Sequence, residues 1–184
     1  MINQEKIILG IDPGSLIMGY GLIQISHSKT TLLTLGYLEL KKYPEQFERL
    51  KHIFSRVEML IKEYNPTEFA IEAPFYGKNV QSMLKLGRAQ GIAIAAALYH
   101  NLEIFEYSPR KIKQSITGNG NASKEQVALM LQRILDFKDM PQYLDATDAV
   151  AAAVCHSNQN TLSDKENKVH SWKEFIQKNK DRLV

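Results

Sequence analysis

Four carboxylates occupy positions from which they could do chemistry together. Asp12 and Glu72 each end an apolar, strand-like segment, and Asp145 and Asp148 lie three residues apart at the start of a helical pattern. Carboxylates that converge disfavour one another's charge, a costly arrangement unless divalent cations neutralise them. Ligands that are all oxygen favour Mg²⁺ or Mn²⁺ over zinc. If the four acids converge in the folded protein, we expect them to form a site for a divalent metal ion.

Each of these acids also has a purely structural explanation. Asp12 begins an Asp-Pro-Gly turn, Glu72 could be a solvated edge residue, and acids in the first turn of a helix suit its dipole. Geometry favours the joint interpretation, because the ends of strands with parallel neighbours gather at one edge of a sheet. Residues three apart share one face of a helix, so Asp145 and Asp148 can enter the same cleft.

Two further residues near the last acids are assigned no chemistry. His156 continues the face of Asp148, but at about 1.5 Å rise per residue it lies roughly 16 Å along the helix from Asp145. That distance is too long for a shared metal ion. Cys155 is the single cysteine, so it can form no internal disulfide and is interpreted as a helix-packing residue.

The elements that must position the acids are a mixture of strands and helices. Alternating or continuous apolar runs predict strands at 7–11, 19–25, 30–40, 67–72 and 103–106. Helical spacing predicts helices at 45–64, 79–100, 123–137 and from about 144 to 155. The first three strands are joined by short turns, which favours an antiparallel meander. The basic stretch 110–113 is left without an assigned element.

The helix at 79–100 carries a prediction about assembly. Its second half, residues 91–98, is apolar nearly all round, so more than one side of it requires burial. In a small domain, one side can pack on the sheet while another contacts a second subunit. We therefore expect a homodimer formed through this helix.

The chain as a whole is typical of one compact domain. Its 184 residues, 44% of them hydrophobic and 23% charged, suggest neither disorder nor a membrane protein. No apolar run approaches the roughly 18 residues of a spanning helix, and no signal-peptide pattern is visible, so we expect a cytoplasmic protein. We assign residues 1–157 to the domain and 158–184 to a polar C-terminal extension, in which Ser171 and Glu174 could cap a short helix.

Charge is unevenly distributed along the chain. The net charge is only +3, yet between Lys78 and Lys124 seven basic residues face two acidic ones. A basic surface around an acidic pocket suits a polyanion that must meet metal ions. Solvated lysines with no partner would give the same pattern, so charge alone leaves both interpretations open.

Four separate stretches of the chain resemble the RuvC family of Holliday-junction resolvases. The match runs in order from about residue 7 to 156, which covers all but the termini. Its motifs are Ile11-Asp12-Pro13-Gly14-Ser15 with Gly19-Tyr20-Gly21, then Phe69-Ala70-Ile71-Glu72, then Lys78-Asn79 through Leu84-Lys85-Leu86-Gly87-Arg88 to Gly91, and finally Asp145-Ala146-Thr147-Asp148-Ala149. The chain departs from the family's pattern at Ala73 and Pro74, where bulkier, more polar residues are usual.

The resemblance implies a fold, an assembly and a set of site residues. It implies an RNase H-like α/β fold, with a five-stranded mixed sheet flanked by helices on both faces, and a homodimer. It places the family's catalytic and metal-binding acids on Asp12, Glu72, Asp145 and Asp148, and its DNA-binding residues on Phe75, Lys113 and Lys124. Phe75 would stack on an opened base, a contact worth about 1 to 3 kcal/mol in single-strand binders.

The resemblance also implies an activity. Two Mg²⁺ ions per site, for which Mn²⁺ could substitute, would support hydrolysis that leaves 5′-phosphate and 3′-hydroxyl ends. A two-fold dimer suits paired symmetric nicks in a four-way DNA junction. Cooperation with the RuvA and RuvB branch-migration proteins is also implied.

Two other function classes remain open at this point. Sugar kinases and actin-like ATPases also carry Asp-x-Gly after a first strand, but they need two such domains around the nucleotide, and this chain lacks the length. A non-catalytic junction-binding module is the second alternative. The presence of all four acids argues against it.

Overall fold

The structure is a computed structural model that describes residues 5–27, 29–74, 79–139 and 141–166, and only the backbone of 160–166. Five strands and five helices lie along these residues. The strands are β1 Lys6–Asp12, β2 Ile17–Ser26, β3 Lys29–Glu39, β4 Glu68–Glu72 and β5 Glu103–Tyr107. The helices are α1 Gln46–Tyr64, α2 Val80–Tyr99, α3 Pro109–Thr117, α4 Lys124–Leu135 and α5 Asp145–Glu166.

The strands form a single mixed sheet in the order β3-β2-β1-β4-β5. β1, β2 and β3 pair antiparallel, as the predicted meander requires, whereas β4 lies parallel to β1 and β5 lies parallel to β4. Ile11 is paired with Ile71, so the last residues of the two strands, Asp12 and Glu72, lie side by side. The parallel centre of the sheet therefore brings both acids to one edge.

Helices cover both faces of the sheet, which confirms the predicted architecture. On one face, α3, α4 and α5 enclose a core that includes Ile8, Tyr107, Leu131 and Val150. On the other face, α1 and α2 enclose a second core around Leu9, Phe69 and Val57. β1 and β4 are buried on both sides, as expected for parallel central strands.

Helix α5 lies directly against the backbone of β1 and β2. A Cβ atom on Gly10 would stand 2.1 Å from the carbonyl oxygen of Ala149, and one on Gly19 would stand 1.8 Å from that of Asp145. No side chain could fit at either point. Two glycines thus set how closely the first half of α5 approaches the sheet.

The structure corrects the sequence-based predictions in two places. Residues 109–117 form helix α3, where the sequence suggested only a basic stretch; Ser108 accepts a hydrogen bond from the Lys111 backbone N–H, and Pro109 follows at the first helical position. Helix α5 continues to Glu166, beyond the expected end at 155. The proposed division at 157/158 therefore falls inside α5 and remains a prediction, and the predicted helix near Ser171 lies outside the described residues.

Within the described ranges, no helix has both the length and the apolar character needed to cross a membrane.

Candidate active site

Asp12 and Glu72 line one small cavity at the carboxyl edge of the sheet. The cavity measures about 180 Å³ and is also lined by Pro13, Ala73, Pro74 and Leu86. The backbone N–H of Ala73 donates to the carbonyl oxygen of Tyr107, which directs the segment after Glu72 along β5. The two strand-borne acids are therefore held by the sheet itself.

Asp145 and Asp148 enter this region from the first turn of α5. The helix start is fixed by backbone hydrogen bonds, from the Ala146 N–H to the Tyr143 carbonyl and from the Asp148 N–H to the Leu144 carbonyl. Tyr143 is in turn held by β3 and the residues after it, because its ring forms a T-shaped contact with that of Tyr37 at a centroid distance of 4.6 Å and its hydroxyl oxygen accepts a hydrogen bond from Lys41 Nζ. These anchoring contacts span about a hundred residues of sequence and were not predicted.

Three of the four predicted ligands come together closely enough to hold one cation. Asp12, Asp145 and Asp148 each offer a carboxylate oxygen, and these oxygens all lie within 4.8 Å of one another. Glu72 is not part of that tight group, but its charge acts on Asp12, and those of Asp145 and Asp148 act on it. The described acids thus form a group of three with Glu72 beside it.

Burial and mutual repulsion raise the pKa values of Asp12, Glu72 and Asp148. Burial, followed by the charges of Glu72 and Asp148, raises the pKa of Asp12 well above its usual range. Burial, followed by the charge of Asp148, raises the pKa of Glu72 to about 7. Burial also raises the pKa of Asp148, against the hydrogen bond that it accepts from Lys124. An oxygen-only set of ligands that resists holding its own charge suits a hard divalent cation.

Lys124 contacts the acids directly. Its ammonium donates to Asp148 and lies 3.6 Å from Asp145 Oδ1. The capping box of α4, in which Ser123 and Gln126 bond each other's backbone N–H groups, places Lys124 at the first position of that helix. Burial opposes the ammonium charge, but the hydrogen bond to Asp148 and the nearby carboxylates raise the pKa of Lys124 above its ordinary value.

Lys113 and Phe75 are the other two residues predicted to contact DNA, and only Lys113 lies among the described residues. Lys113 on α3 lies within electrostatic range of the site, because its charge lowers the pKa of both Glu72 and Asp148. Among the described residues, Lys113 forms no ion pair or side-chain hydrogen bond with an acid. Phe75 lies outside the described residues, so its predicted stacking role remains a prediction.

His156 belongs to a separate network, in keeping with its rejection as a ligand of this site. It is 1% exposed, its Nδ1 lies 2.6 Å from the Tyr107 hydroxyl, and its Nε2 lies 2.8 Å from Glu68 Oε2. Glu68 begins β4 and also pairs with Lys6, so this network lies at the end of the strand opposite Glu72. Cys155 is buried against the core, as predicted.

Comparison with known proteins gives a consistent result. The family model described as "Crossover junction endodeoxyribonuclease RuvC" matches residues 8–156. A crossover junction endodeoxyribonuclease RuvC from Cytophaga hutchinsonii is 55% identical over 179 residues, which cover 97% of this chain and 88% of that protein. The Bacteroides fragilis protein of the same name is 54% identical and covers 98% of this chain and 97% of its own length.

Solved structures give the same result. Thermus thermophilus RuvC in complex with a Holliday junction substrate superimposes with a TM-score of 0.80 at 30% identity, covering 86% of this chain and 96% of that one. The yeast mitochondrial Holliday junction resolvase Ydc2 has a TM-score of 0.64 at 15% identity, covering 87% of this chain and 81% of that one, and supports the fold alone.

Proposed function

This chain belongs to the RuvC family of crossover junction endodeoxyribonucleases, with the family's RNase H-like fold, and from that membership we propose that it resolves Holliday junctions by paired symmetric nicks. The observation that carries the proposal is the convergence of Asp12, Asp145 and Asp148 within 4.8 Å, with Glu72 in the same cleft. The proposed substrate is inferred from the family, and the proposed position of phosphodiester hydrolysis is inferred from the acidic cleft.

We infer that the four acids hold Mg²⁺, for which Mn²⁺ could substitute, with two ions in each site. The fit rests on the donor set, which is all carboxylate oxygen, and on the raised pKa values of Asp12 and Glu72, which reflect burial first and then the charges of neighbouring acids. When bound, such ions supply an activated water for in-line attack and stabilise the departing 3′-oxygen. The products would carry 5′-phosphate and 3′-hydroxyl ends.

The chain's own residues would divide the remaining tasks. Asp12 and Glu72 are fixed by adjacent strands, so they would give the site a rigid wall, while Asp145 and Asp148 complete it from α5. Lys124 and Lys113 stand beside the acids and would pair with phosphates of the bound strand. Phe75 would stack on an opened base of the junction.

The exposed face of α2 supports the proposed homodimer. Large apolar side chains are exposed along this helix, by 70% at Val80, 51% at Leu84, 56% at Leu98 and 72% at Tyr99. A Cβ at Gly87 or Gly91 would meet no atom within 4 Å, so the face between them is open to a close partner. The opposite side of α2 is buried through Ala89, Ala93 and Ala96. A two-fold dimer would present two active sites to the two strands that must be nicked.

The decisive experiment uses the Asp12→Asn variant with a synthetic four-way junction. We expect this variant to bind the junction and to lose cleavage in Mg²⁺, because it removes one ligand charge and keeps the shape of the side chain. Asp139→Asn, a change at an exposed acid outside the site, should cleave like the unaltered protein. Junction cleavage by Asp12→Asn at the normal rate would refute the proposed active site.

The same assay separates the other function classes. A non-catalytic junction-binding module would leave the junction uncut with or without chelator, whereas the proposed enzyme should cut only without it. An ATPase would bind nucleotide in a calorimeter, which we do not expect here. RuvA and RuvB are the proposed protein partners, and their addition should alter the rate of cleavage.

A further inference from the structure

A second cavity lies beside the acidic cleft and plays no part in the proposed chemistry. It measures about 160 Å³. Its floor is apolar, with Leu50 and Ile53 from α1, and its rim is polar, with Ser15, Gln46, Arg49 and Lys85. Among the described residues that line it, two are cationic and none is acidic. The cavity is therefore suited to a ligand that combines an anionic group with an apolar face.

The two cationic side chains of this rim, Arg49 and Lys85, keep donors that do not bond to the described part of the protein. Arg49 Nε donates to the carbonyl oxygen of Tyr43 at 2.7 Å, and its Nη1 donates to that of Ser15 at 3.4 Å. Since a guanidinium has five N–H donors, most of its donor capacity remains for a ligand. Lys85 is exposed, and no ion pair or hydrogen bond of its side chain occurs within the described part of the chain.

The cavity and the acidic cleft share two walls. The turn after β1 contributes Asp12 and Pro13 to the cleft and Ser15 to the cavity. Helix α2 contributes Leu86 to the cleft and the adjacent Lys85 to the cavity. A linear polymer that crosses the turn after β1 would therefore contact both the acidic cleft and the cavity.

Cations thus lie on two sides of the acids. Lys113 and Lys124 act on the acids from α3 and α4, and Arg49 and Lys85 stand across the turn on α1 and α2. A polyanion whose central phosphate must approach carboxylates and metal ions gains affinity from cations that hold its neighbouring phosphates.

We propose that the cavity between α1 and α2 binds the DNA strand next to the nucleotide whose phosphate is cut. Lys85 and the free donors of Arg49 pair with a backbone phosphate, and the deoxyribose attached to it packs on Leu50 and Ile53. This inference rests on the proposed function, because it takes the acidic cleft as the position of the cut phosphate. It assigns Lys85 and Arg49 to strand binding and not to catalysis.

The test is the binding of Lys85→Gln to a synthetic four-way junction across a series of salt concentrations, with chelator present to keep the strands intact. Loss of one phosphate contact should reduce the slope of log affinity against log salt by about 0.9, and it should weaken binding roughly eightfold at 0.1 M salt. Lys85→Glu should weaken binding further, because it adds a repulsive charge. The thermal unfolding temperature should stay unchanged, since Lys85 is exposed.

The matched control is Lys51→Gln, which removes the same charge from an exposed position of α1 that does not line the cavity. It should keep the slope and affinity of the unaltered protein. If Lys85→Gln behaves like Lys51→Gln while the unaltered protein binds junctions, this inference is wrong and the proposed function stands. If the unaltered protein does not bind junctions at all, the proposed function and this inference both fail.

Discussion

At the scale of single residues, the buried acids store unfavourable electrostatic energy. Folding moves Asp12, Glu72 and Asp148 out of water and toward one another, and this raises all three pKa values. An acid whose pKa is higher in the folded protein binds protons more strongly there than in the unfolded chain. Its stabilising contribution to the free energy of unfolding is therefore fully present at low pH and is lost as the pH rises.

Glu72 gives the clearest pH prediction. Its pKa rises from 4.5 to about 7, so its contribution is present below pH 4.5 and is lost as the pH rises through 7. In chelator, the unaltered protein should lose on the order of 3 kcal/mol of unfolding free energy through this group over that window. Glu72→Gln should not show this loss. Urea unfolding at pH 5 and pH 8 measures the difference.

The control for this measurement is Glu63→Gln, a change at an exposed acid of α1. It should follow the pH dependence of the unaltered protein. Equal pH dependence in Glu72→Gln and the unaltered protein would contradict the assigned cause, which is the burial of Glu72 in the cleft.

The positive charge of Lys124 partly offsets the repulsion between the buried acids. Its ammonium contacts the carboxylates of Asp145 and Asp148, which are also two of the proposed metal ligands. A bound metal ion would therefore compete with Lys124 for these carboxylates. Lys124 would then be available to a phosphate, which is consistent with its proposed role in binding DNA.

At the scale of elements, the contact between β2 and α5 sets the position of Asp145. A methyl group at Gly19 would overlap the Asp145 carbonyl oxygen, 1.8 Å away. We expect Gly19→Ala to push the first turn of α5 off the sheet, to cost about 1 to 3 kcal/mol of stability, and to weaken Mn²⁺ binding. Calorimetry with Mn²⁺ and urea unfolding measure the two effects.

Gly87→Ala is the control for steric overlap inside the single chain, because a Cβ there meets none of the chain's own atoms within 4 Å, and light scattering shows whether the variant keeps the mass of the unaltered protein. It should keep the Mn²⁺ affinity of the unaltered protein, since α2 carries no predicted ligand. Unchanged Mn²⁺ binding in Gly19→Ala would show that the position of Asp145 does not depend on this contact.

Elements with a strong local pattern were predictable from the sequence. The apolar runs of β1 and β4 and the helical spacing of α1 were sufficient to predict these three elements. Their observed bounds differ from the predicted ones by one residue at most. Helix α3 was not predicted, because the basic residues at 110–113 are the more conspicuous feature of its sequence. Its cap at Ser108, the following Pro109 and the spacing of Ile112 and Ile116 were a readable signal.

The residue pattern predicted the acids of the candidate site, and the family resemblance added Lys113 and Lys124, but neither predicted the contacts that position them. Asp12 and Glu72 follow from the rule that parallel strands end at one edge, and the spacing of Asp145 and Asp148 puts them on one helical face. The contacts of Tyr37 with Tyr143 and of Lys124 with Asp148 join distant parts of the chain. No local pattern encodes such contacts, because they depend on how α4 and α5 dock on the sheet.

At the scale of the whole molecule, assembly should depend on the exposed face of α2. Leu98→Glu would place a charge in the proposed interface, at a residue that is 56% exposed in the single chain. We expect this variant to remain folded and to become monomeric at micromolar concentration. Light scattering measures the mass, and the monomer should no longer make paired nicks.

Leu129→Glu is the matched control, because Leu129 is similarly exposed, at 53%, but lies on α4. It should keep the mass of the unaltered protein. A monomeric unaltered protein at the same concentration would exclude the proposed dimer altogether.

The close seating of α5 on Gly10 and Gly19 also has a mechanical consequence. At Gly10, on the strand that carries Asp12, and at Gly19, on the neighbouring strand, the sheet meets the helix that carries Asp145 most closely at backbone carbonyl oxygens, with no room for a side chain between them. Separations set by backbone contact vary less than those set by flexible side chains, which have several rotamers to exchange among. The distance between the backbone of Asp12 and that of Asp145 should therefore stay nearly constant when the temperature rises or when DNA binds, so that only the side-chain torsions of the two acids can change the distance between their carboxylates.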